Sequence, residues 1–212
     1  MRDFLLNALA TLFVTIDPIG LAPIFAVLTT GQPTALRRRT GTRAAVIAAC
    51  VLVAFALIGE RLIGFLGISI SAFRIAGGLL LFWVAFEMVF GRRTLRKAVT
   101  TETLAGEDEG HDPAAFPLAV PLIAGPASIS ATILIASHAP GLSGLGGLLV
   151  IVLLLVGACF LVFQGADQID RALGRTGRTV VTRLLGVLLA ALSVQFVADG
   201  VLTLVGLAST TT

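Results

Sequence analysis

The sequence predicts an all-α membrane protein of six transmembrane helices, built as two inverted three-helix repeats with broken first and fourth helices. Of the 212 residues, 57% are hydrophobic and 13% are charged, and the mean hydropathy is +1.01. This composition leaves too little polar surface for a soluble domain. The chain also contains six apolar stretches of about the 20 residues that a bilayer crossing needs. The first and fourth stretches carry a proline at nearly the same place.

The six apolar stretches follow one another with short connections. We expect the first span at residues 4–30, and we interpret it as uncleaved because Asp17 and Pro18 stand where a signal peptidase needs small residues. The two repeats are predicted at residues 1–92 and 114–212, with residues 93–113 as a polar cytoplasmic linker between them. The remaining spans are predicted at residues 44–65, 69–91, 115–138, 145–163 and 184–208.

The two broken spans are the strongest sign of an internal repeat. Pro18 and Pro126 lie 108 residues apart. The four-residue segments Arg74–Gly77 and Arg183–Gly186, which both begin with arginine and end with glycine, lie 109 residues apart. Proline removes a backbone donor and clashes with the preceding turn, so each helix should break there inside the membrane. Each half has three spans, an odd number, so the second half enters the membrane from the opposite side. The sequence therefore predicts an inverted-topology repeat.

The helix breaks also predict the place of a substrate site. If half-helices begin near the midplane at Pro18 and Pro126, two helix N-termini face each other, and their N–H groups suit a carboxylate or phosphate. A second interpretation is that Asp17 and Ser128 only cap broken helices within a dry core. Under the first interpretation, we expect the substrate to contact Thr15, Asp17, Pro18, Ile19, Gly20, Ala124, Gly125, Pro126, Ala127 and Ser128.

Asp17 is the most informative single residue of the chain. An intramembrane carboxylate is costly, so Asp17 should cap the half-helix, pair with a cation, or bind a substrate ammonium or a coupling proton. The sequence leaves these three roles open.

Two further ion pairs are predicted near the membrane faces. We expect Arg74 to pair with Asp199 on the outer side and Arg183 with Glu87 on the inner side, as gating pairs or as structural ties. Gln195 precedes Asp199 by one turn and is placed to hydrogen-bond within the bundle.

The cations predict the orientation of the chain. Three connections carry them: the first holds Arg37, Arg38, Arg39 and Arg43, the third Arg92, Arg93, Arg96 and Lys97, and the fifth Arg171, Arg175 and Arg178. Because basic residues next to spans are retained in the cytoplasm, both termini are expected outside. The net charge of +3 thus reflects topology, and no basic groove with interleaved aromatic residues predicts nucleic acid binding.

Several functional classes find no support in the sequence. Cys50 and Cys159 lie within spans without a CxxC spacing, so we interpret both as small buried apolar residues. His111 has no second ligand at a usable spacing, so we expect neither a metal nor a cofactor. HExxH, GxSxG and GxxxxGK[ST] are all missing, which argues against an enzyme and against an ATPase.

The chain resembles the MarC family of small inner-membrane proteins, also described as neutral amino acid transporters. It departs from the family pattern at Leu21, where the family commonly has Asn, and at Ala127, where it commonly has Gly. The resemblance implies six spans in a bacterial inner membrane and, for some members, movement of small neutral amino acids such as glycine or alanine. It rests on Asp17-Pro18-Ile19-Gly20, Pro23-Ile24-Phe25, Gly67-Ile68-Ser69-Ile70, Phe73 to Gly78, Pro117 to Pro121, Ala124-Gly125-Pro126, Arg183 to Gly186 and Val194-Gln195-Phe196.

Residues and resemblance together predict a secondary transporter of a small zwitterion such as alanine, glycine or serine, working by alternating access. The substrate carboxylate is expected at the two half-helix N-termini and its ammonium near Asp17 or the carbonyls of Ile123 and Ala124. A proton or a sodium ion is expected to drive the cycle, and the oligomeric state is left open. The alternatives are a flippase or exporter of a lipid-linked or amphiphilic anion, and a membrane scaffold that transports nothing.

Overall fold

The computed structural model describes the backbone of residues 1–91 and 113–209, and the side chains of these residues except 167–173, 175, 178 and 207–209. The predicted linker therefore lies outside the described residues, apart from its last one. His111, the cations of the third connection, and the side chains of Arg171, Arg175 and Arg178 lie outside them too.

The described residues fold into helices without strands. Within this part of the chain, five spans are long and apolar enough to cross a membrane, and a bent pair of segments makes a sixth if it is counted as one span. The predicted all-α membrane architecture is confirmed at this level. The elements are α1 (Arg2–Ile16), α2 (Pro18–Leu28), α3 (Thr34–Phe65), α4 (Ile70–Val89), an irregular segment (Ala114–Ile123), α5 (Pro126–Ala136), α6 (Gly141–Gln164) and α7 (Ala166–Ser209).

The first span breaks where the sequence predicts. Asp17 ends α1 in the left-handed region, with φ 56° and ψ 65°, and Pro18 is the first residue of α2. Proline is well suited to this position because the N–H that it lacks would have no helical partner there. The bend separates two helices that together form one span from Arg2 to Leu28.

The fourth span departs from the prediction in its first part. A helix was expected from residue 115, but Phe116 and Val120 are extended within Ala114–Ile123, and each precedes a proline in a cis peptide bond. A residue before proline is pushed out of the helical region, and Pro117 and Pro121 act in succession here. The predicted break before Pro126 is confirmed, because α5 begins there at an angle of 55° to the irregular segment.

Two other helices extend beyond the predicted spans. Helix α3 begins at Thr34 rather than residue 44, so Arg37 to Arg43 lie in its first turns and not in a connection. Arginine is a good helix former, and hydropathy marks only the part of a helix that suits lipid. Helix α7 begins at Ala166 rather than residue 184 and bends at Gly174, whose φ is 61°.

Helices α4 and α7 pack against each other at close range through glycines. A Cβ atom on Gly78 would lie 2.9 Å from the carbonyl oxygen of Ser193, and one on Gly200 would lie 3.0 Å from that of Ser71. Because residue numbers rise along α4 as they fall along α7, the two helices are antiparallel. Small residues allow this approach of two backbones in a membrane protein.

The broken spans pack mainly on helices from the other half of the chain. Helices α1 and α2 contact α6 and α7, whereas the irregular segment contacts α3, and α5 contacts α3 and α4. In the first span, 61% of the most apolar part is buried, against 17% to 33% in the four other long helices. The first span is therefore the centre of the bundle, and the other long helices present more of their surface to lipid.

Candidate functional site

Asp17 caps the second half of the first span. Its carboxylate is only 3% exposed, and Oδ1 accepts a hydrogen bond of 3.0 Å from the backbone N–H of Gly20. A Cβ atom on Gly20 would overlap with the carboxylate. Of the three roles predicted for Asp17, capping is confirmed, and it places a negative charge against the positive end of α2.

The second break has a different cap. Gly125 precedes Pro126 at the start of α5, and no side chain of the described residues caps this helix. A Cβ atom on Gly125 would overlap with the carbonyl oxygen of Pro121, so the sharp turn requires glycine. The interpretation in which Ser128 caps α5 is wrong, since Gly125 holds the cap position and Ser128 lies inside the helix.

Most of the predicted substrate-site residues lie inside the bundle. Seven of the ten are buried, Ile19 and Gly20 are half-buried, and Pro126 is exposed. They form two groups, one at each break, and α1 packs against α5. That the two groups hold one substrate stays a prediction. The buried members are Thr15, Asp17, Pro18, Ala124, Gly125, Ala127 and Ser128.

A polar stripe, which the sequence reasoning missed, runs along α1 to the break. Asn7, Thr11 and Thr15 are spaced by four residues and so share one helix face over about 12 Å. Thr11 and Thr15 are no more than 1% exposed. The Thr11 hydroxyl donates to Asn7 Oδ1 at 3.1 Å, and the Thr15 hydroxyl donates to the carbonyl of Thr11 at 3.0 Å. The spacing of polar residues within an apolar helix was the available signal.

The stripe begins at a cavity of about 220 Å³ near the N-terminus of α1. Residues from both halves of the chain form its wall. Arg74 and Asp199, which were predicted to lie together on the outer side, both line it. The complete lining is Phe4, Asn7, Ala8, Arg74, Leu134, Ile135, His138, Phe196 and Asp199.

Arg74 and Asp199 share this cavity without forming the predicted ion pair. The guanidinium of Arg74 instead contacts the imidazole of His138. The carboxylate of Asp199 accepts a hydrogen bond of 2.7 Å from Gln195 Nε2, one turn before it on α7. Gln195 is exposed, so its expected bond within the bundle stays a prediction. Arg74 and Asp199 thus have different partners, His138 for the first and Gln195 for the second.

The contacts of His138 hold its ring in place. Nδ1 lies 2.7 Å from the carbonyl oxygen of Leu134 and 3.1 Å from the hydroxyl of Ser137, and Nε2 faces the guanidinium of Arg74. His138 thus links the segment that follows α5 to Arg74 of α4.

The inner pair of Arg183 with Glu87 stays a prediction. Glu87 is 4% exposed and accepts a hydrogen bond of 3.1 Å from Trp83 Nε1, whereas Arg183 is exposed.

The end of the bundle opposite the cavity contains a pair of stacked aromatic rings. Phe25 of α2 and Phe163 of α6 stack with their centroids 4.4 Å apart, and both are fully buried. The guanidinium of Arg37 lies 5.4 Å from the centroid of Phe25. A stack of this kind is favourable beyond its buried area.

The two cysteines differ in environment. Cys159 is buried, as predicted, but Cys50 is exposed on α3, so that prediction was wrong. An apolar residue on a membrane span is as stable against lipid as within the bundle, so hydropathy does not separate the two. Within the residues that the structure describes, no three His, Cys, Asp or Glu side chains are grouped to hold a metal ion.

Comparison with known proteins gives one consistent result. The chain is 32% identical to the UPF0056 membrane protein MJ1677 of Methanocaldococcus jannaschii, over 94% of this chain and 96% of that protein. It is 35% identical to the UPF0056 membrane protein YhcE of Escherichia coli, over 90% of this chain and 88% of that protein. It is 28% identical to the UPF0056 membrane protein YvbG of Bacillus subtilis, over 94% of this chain and 95% of that protein. No solved structure matches the chain.

The model of one family, the MarC family integral membrane proteins, matches residues 2–205. This match begins with α1 and ends within α7, and it includes both breaks and the cavity. The chain therefore belongs to the MarC family of integral membrane proteins.

Proposed function

We propose that the protein is a secondary transporter of small neutral amino acids, and not an enzyme. The observation that carries this proposal is the pair of helix breaks: two helices of 11 residues each begin at a proline, directly after the buried residues Asp17 and Gly125. Interrupted spans at corresponding positions of two halves are typical of substrate sites in secondary transporters. A scaffold has no need of an intramembrane carboxylate at such a break.

The packing supports an inverted repeat. The first span packs on the later helices of the second half, and the fourth span packs on those of the first half. The third spans of the two halves, α4 and α7, lie antiparallel, as helices related by a two-fold axis in the membrane plane must. We therefore assign one repeat to residues 1–92 and the other to residues 114–212.

The unequal caps suggest how a zwitterion is oriented at the breaks. Asp17 already supplies a negative charge to the N-terminus of α2, so a substrate carboxylate is not needed there. Helix α5 has no side-chain cap among the described residues, and its N–H groups and partial positive charge suit the carboxylate. The negative charge of the buried Asp17 suits the ammonium group. This assignment revises the expectation that both helix ends bind the carboxylate.

The two ends of the bundle support alternating access. A cavity opens at the end where α1 begins, whereas the stack of Phe25 on Phe163 fills the other end. We assign the cavity to the outside, because Arg37 to Arg43 lie at the stacked end and basic residues are retained in the cytoplasm. Both termini then lie outside a bacterial inner membrane, and this conformation is open outward.

The charges in the cavity favour an amino acid over a lipid-linked anion. Its lining contains one cation, Arg74, and one carboxylate, Asp199. A phosphate head group would be attracted by the first and repelled by the second. A zwitterion has a favourable partner for each, and this argues against the flippase alternative.

The test is uptake and efflux of labelled alanine, glycine and serine in proteoliposomes, with a proton or a sodium gradient imposed in turn. We expect saturable transport in the wild type, and its loss in both Asp17→Asn and Pro126→Ala. The first variant removes the charge at one break, and the second removes the proline that begins α5.

Asp3→Asn is the matched control, because Asp3 is an exposed carboxylate in the first turn of the same span. It should transport like the wild type. Absence of transport for all three amino acids under both gradients would reject the proposal. Transport that survives in both break variants would move the substrate site away from the breaks.

A further inference from the structure

We propose that the cavity between Arg74 and Asp199 is a second binding site for a small zwitterion, in which the carboxylate binds Arg74 and the ammonium binds Asp199. This inference deepens the proposed transport function, because it names the site where the substrate first binds from outside. Binding at this site does not itself require transport, so the two can be tested separately.

The first argument is that two opposite charges line one small cavity without compensating each other. Arg74 contacts the imidazole of His138, and within the described part of the chain its Nε atom is buried without a hydrogen-bond partner. A buried donor without a partner costs free energy, and the cost is larger for a charged group. A carboxylate that accepts from the Nε side of the guanidinium would satisfy this atom.

The second argument is that both charged groups are held in position before any ligand binds. Nε2 of His138 faces Arg74, and His138 is itself fixed by contacts with the carbonyl of Leu134 and the hydroxyl of Ser137. The amide of Gln195 holds Asp199. Charged groups that are oriented in advance lose less conformational entropy when a ligand binds.

The third argument is the size of the cavity. At about 220 Å³ it is smaller than the pockets that bind drug-sized ligands, which begin at about 300 Å³. The remaining wall is largely apolar, with Phe4, Leu134 and Phe196 among its residues. A small amino acid with a short apolar side chain fits this combination, whereas a larger one does not.

The fourth argument is that the cavity is continuous with the polar stripe of α1. Asn7 belongs to the lining, and it accepts a hydrogen bond from Thr11, the next residue of the stripe. Thr15 lies one turn further, two residues before Asp17. An amino acid bound between Arg74 and Asp199 is therefore at the start of a polar path to the helix break.

The experiment is equilibrium binding of labelled alanine to the purified full-length protein in detergent, with propionate and ethylamine as competitors. Propionate lacks the ammonium and ethylamine lacks the carboxylate. We expect Arg74→Gln and Asp199→Asn each to raise the Kd for alanine by at least about tenfold, the usual effect of losing a hydrogen bond to a charged group. Each competitor alone should compete at least about tenfold more weakly than unlabelled alanine.

Arg61→Gln and Glu60→Gln are matched controls, because both residues are exposed charged residues near the same end of the bundle on α3. They should leave the Kd within about twofold. Unfolding temperatures and size-exclusion profiles of all four variants establish that they are folded. Asp17→Asn should keep the outer site and so still bind alanine.

The outcomes separate this inference from the proposed function. If folded Arg74→Gln and Asp199→Asn bind alanine as tightly as the wild type, the outer site is rejected, even where transport is observed. If only Arg74→Gln weakens binding and propionate competes as well as alanine, the cavity binds an anion and the zwitterion site is overturned. If both variants weaken binding but the wild type transports no amino acid, the outer site stands and the transport proposal fails.

Discussion

At the break in the first span, Asp17 and Gly20 depend on each other. The left-handed conformation of Asp17 ends α1 and turns its carboxylate onto the backbone N–H of Gly20. Any side chain on Gly20 would occupy the space that the carboxylate fills. The glycine is therefore required by its neighbour's side chain and not by its own backbone conformation.

Gly20→Ala should therefore destabilise the protein, although alanine favours helix. Loss of an N-cap costs about 0.5–2 kcal/mol, which exceeds the helix propensity that alanine adds at the first turn. We expect a lower unfolding temperature in detergent. Gly146→Ala on α6 is the control, because a Cβ atom there meets nothing within 4 Å and should leave stability unchanged or raise it. Equal unfolding temperatures for the two variants would contradict the stabilising role of Asp17 as the cap of α2.

At the same scale, the sequence identified Asp17 and named capping among its three possible roles, without choosing between them. Proline and aspartate in an apolar stretch are visible without a structure, and so is the spacing of Asn7, Thr11 and Thr15. The partners of Arg74 were not predictable in this way. His138 lies 64 residues from Arg74, and only the packing of α5 beside α4 brings them together.

At the scale of elements, the glycines of α4 and α7 set the distance between these helices. A Cβ atom would lie 2.7 Å from its nearest neighbour on Gly78 and 2.8 Å from it on Gly186 and on Gly200. The contact thus has no room for a methyl group at three points along the pair. Because α4 carries Arg74 and α7 carries Asp199, this contact also positions the two charges of the outer cavity.

Gly78→Val should therefore push α4 away from α7. Overpacking of a tight contact costs about 1–3 kcal/mol, and we expect a lower unfolding temperature together with weaker alanine binding at the outer site. The control is Gly64→Val on α3, where a Cβ atom would meet nothing within 4 Å. The glycine contact would be unimportant if both variants behaved alike in the two measurements.

Helix boundaries show where sequence patterns stop being informative. The breaks at Pro18 and Pro126 were predictable because proline acts locally on its own helix. The irregular course of Ala114–Ile123 was not predicted, because hydropathy does not distinguish an apolar helix from an apolar extended segment. The early start of α3 was missed because its first turns are polar and outside the apolar stretch.

At the scale of the whole molecule, the cavity and the aromatic stack lie at opposite ends of the bundle. Phe25 and Phe163 come from different halves of the chain, so their stack is a contact that relative movement of the halves would break. The opposite end holds the cavity that such a movement would close. Under the proposed mechanism, this conformation is one of the two states that alternating access requires.

Phe25→Ala should therefore open the inner end. We expect a hydrophilic thiol reagent inside oriented vesicles to label Thr15→Cys several-fold faster when Phe25 is replaced, in a background lacking Cys50 and Cys159. A truncated aromatic side chain leaves a cavity that the neighbours fill only partly. Phe86→Ala is the control, since Phe86 is exposed on α4. Equal labelling rates in the two variants would show that the stack does not seal the inner end.

Each broken span packs on helices of the other half of the chain, and this packing affects how the protein assembles during synthesis. The first three spans are synthesised first, but α1 and α2 find their packing surfaces on α6 and α7, which are the last helices to be translated. Until then, the break at Asp17 lacks most of the packing that surrounds it in the folded protein. Assembly must therefore wait for the end of translation, and a chain truncated before α6 is expected to be recognised as misassembled and degraded.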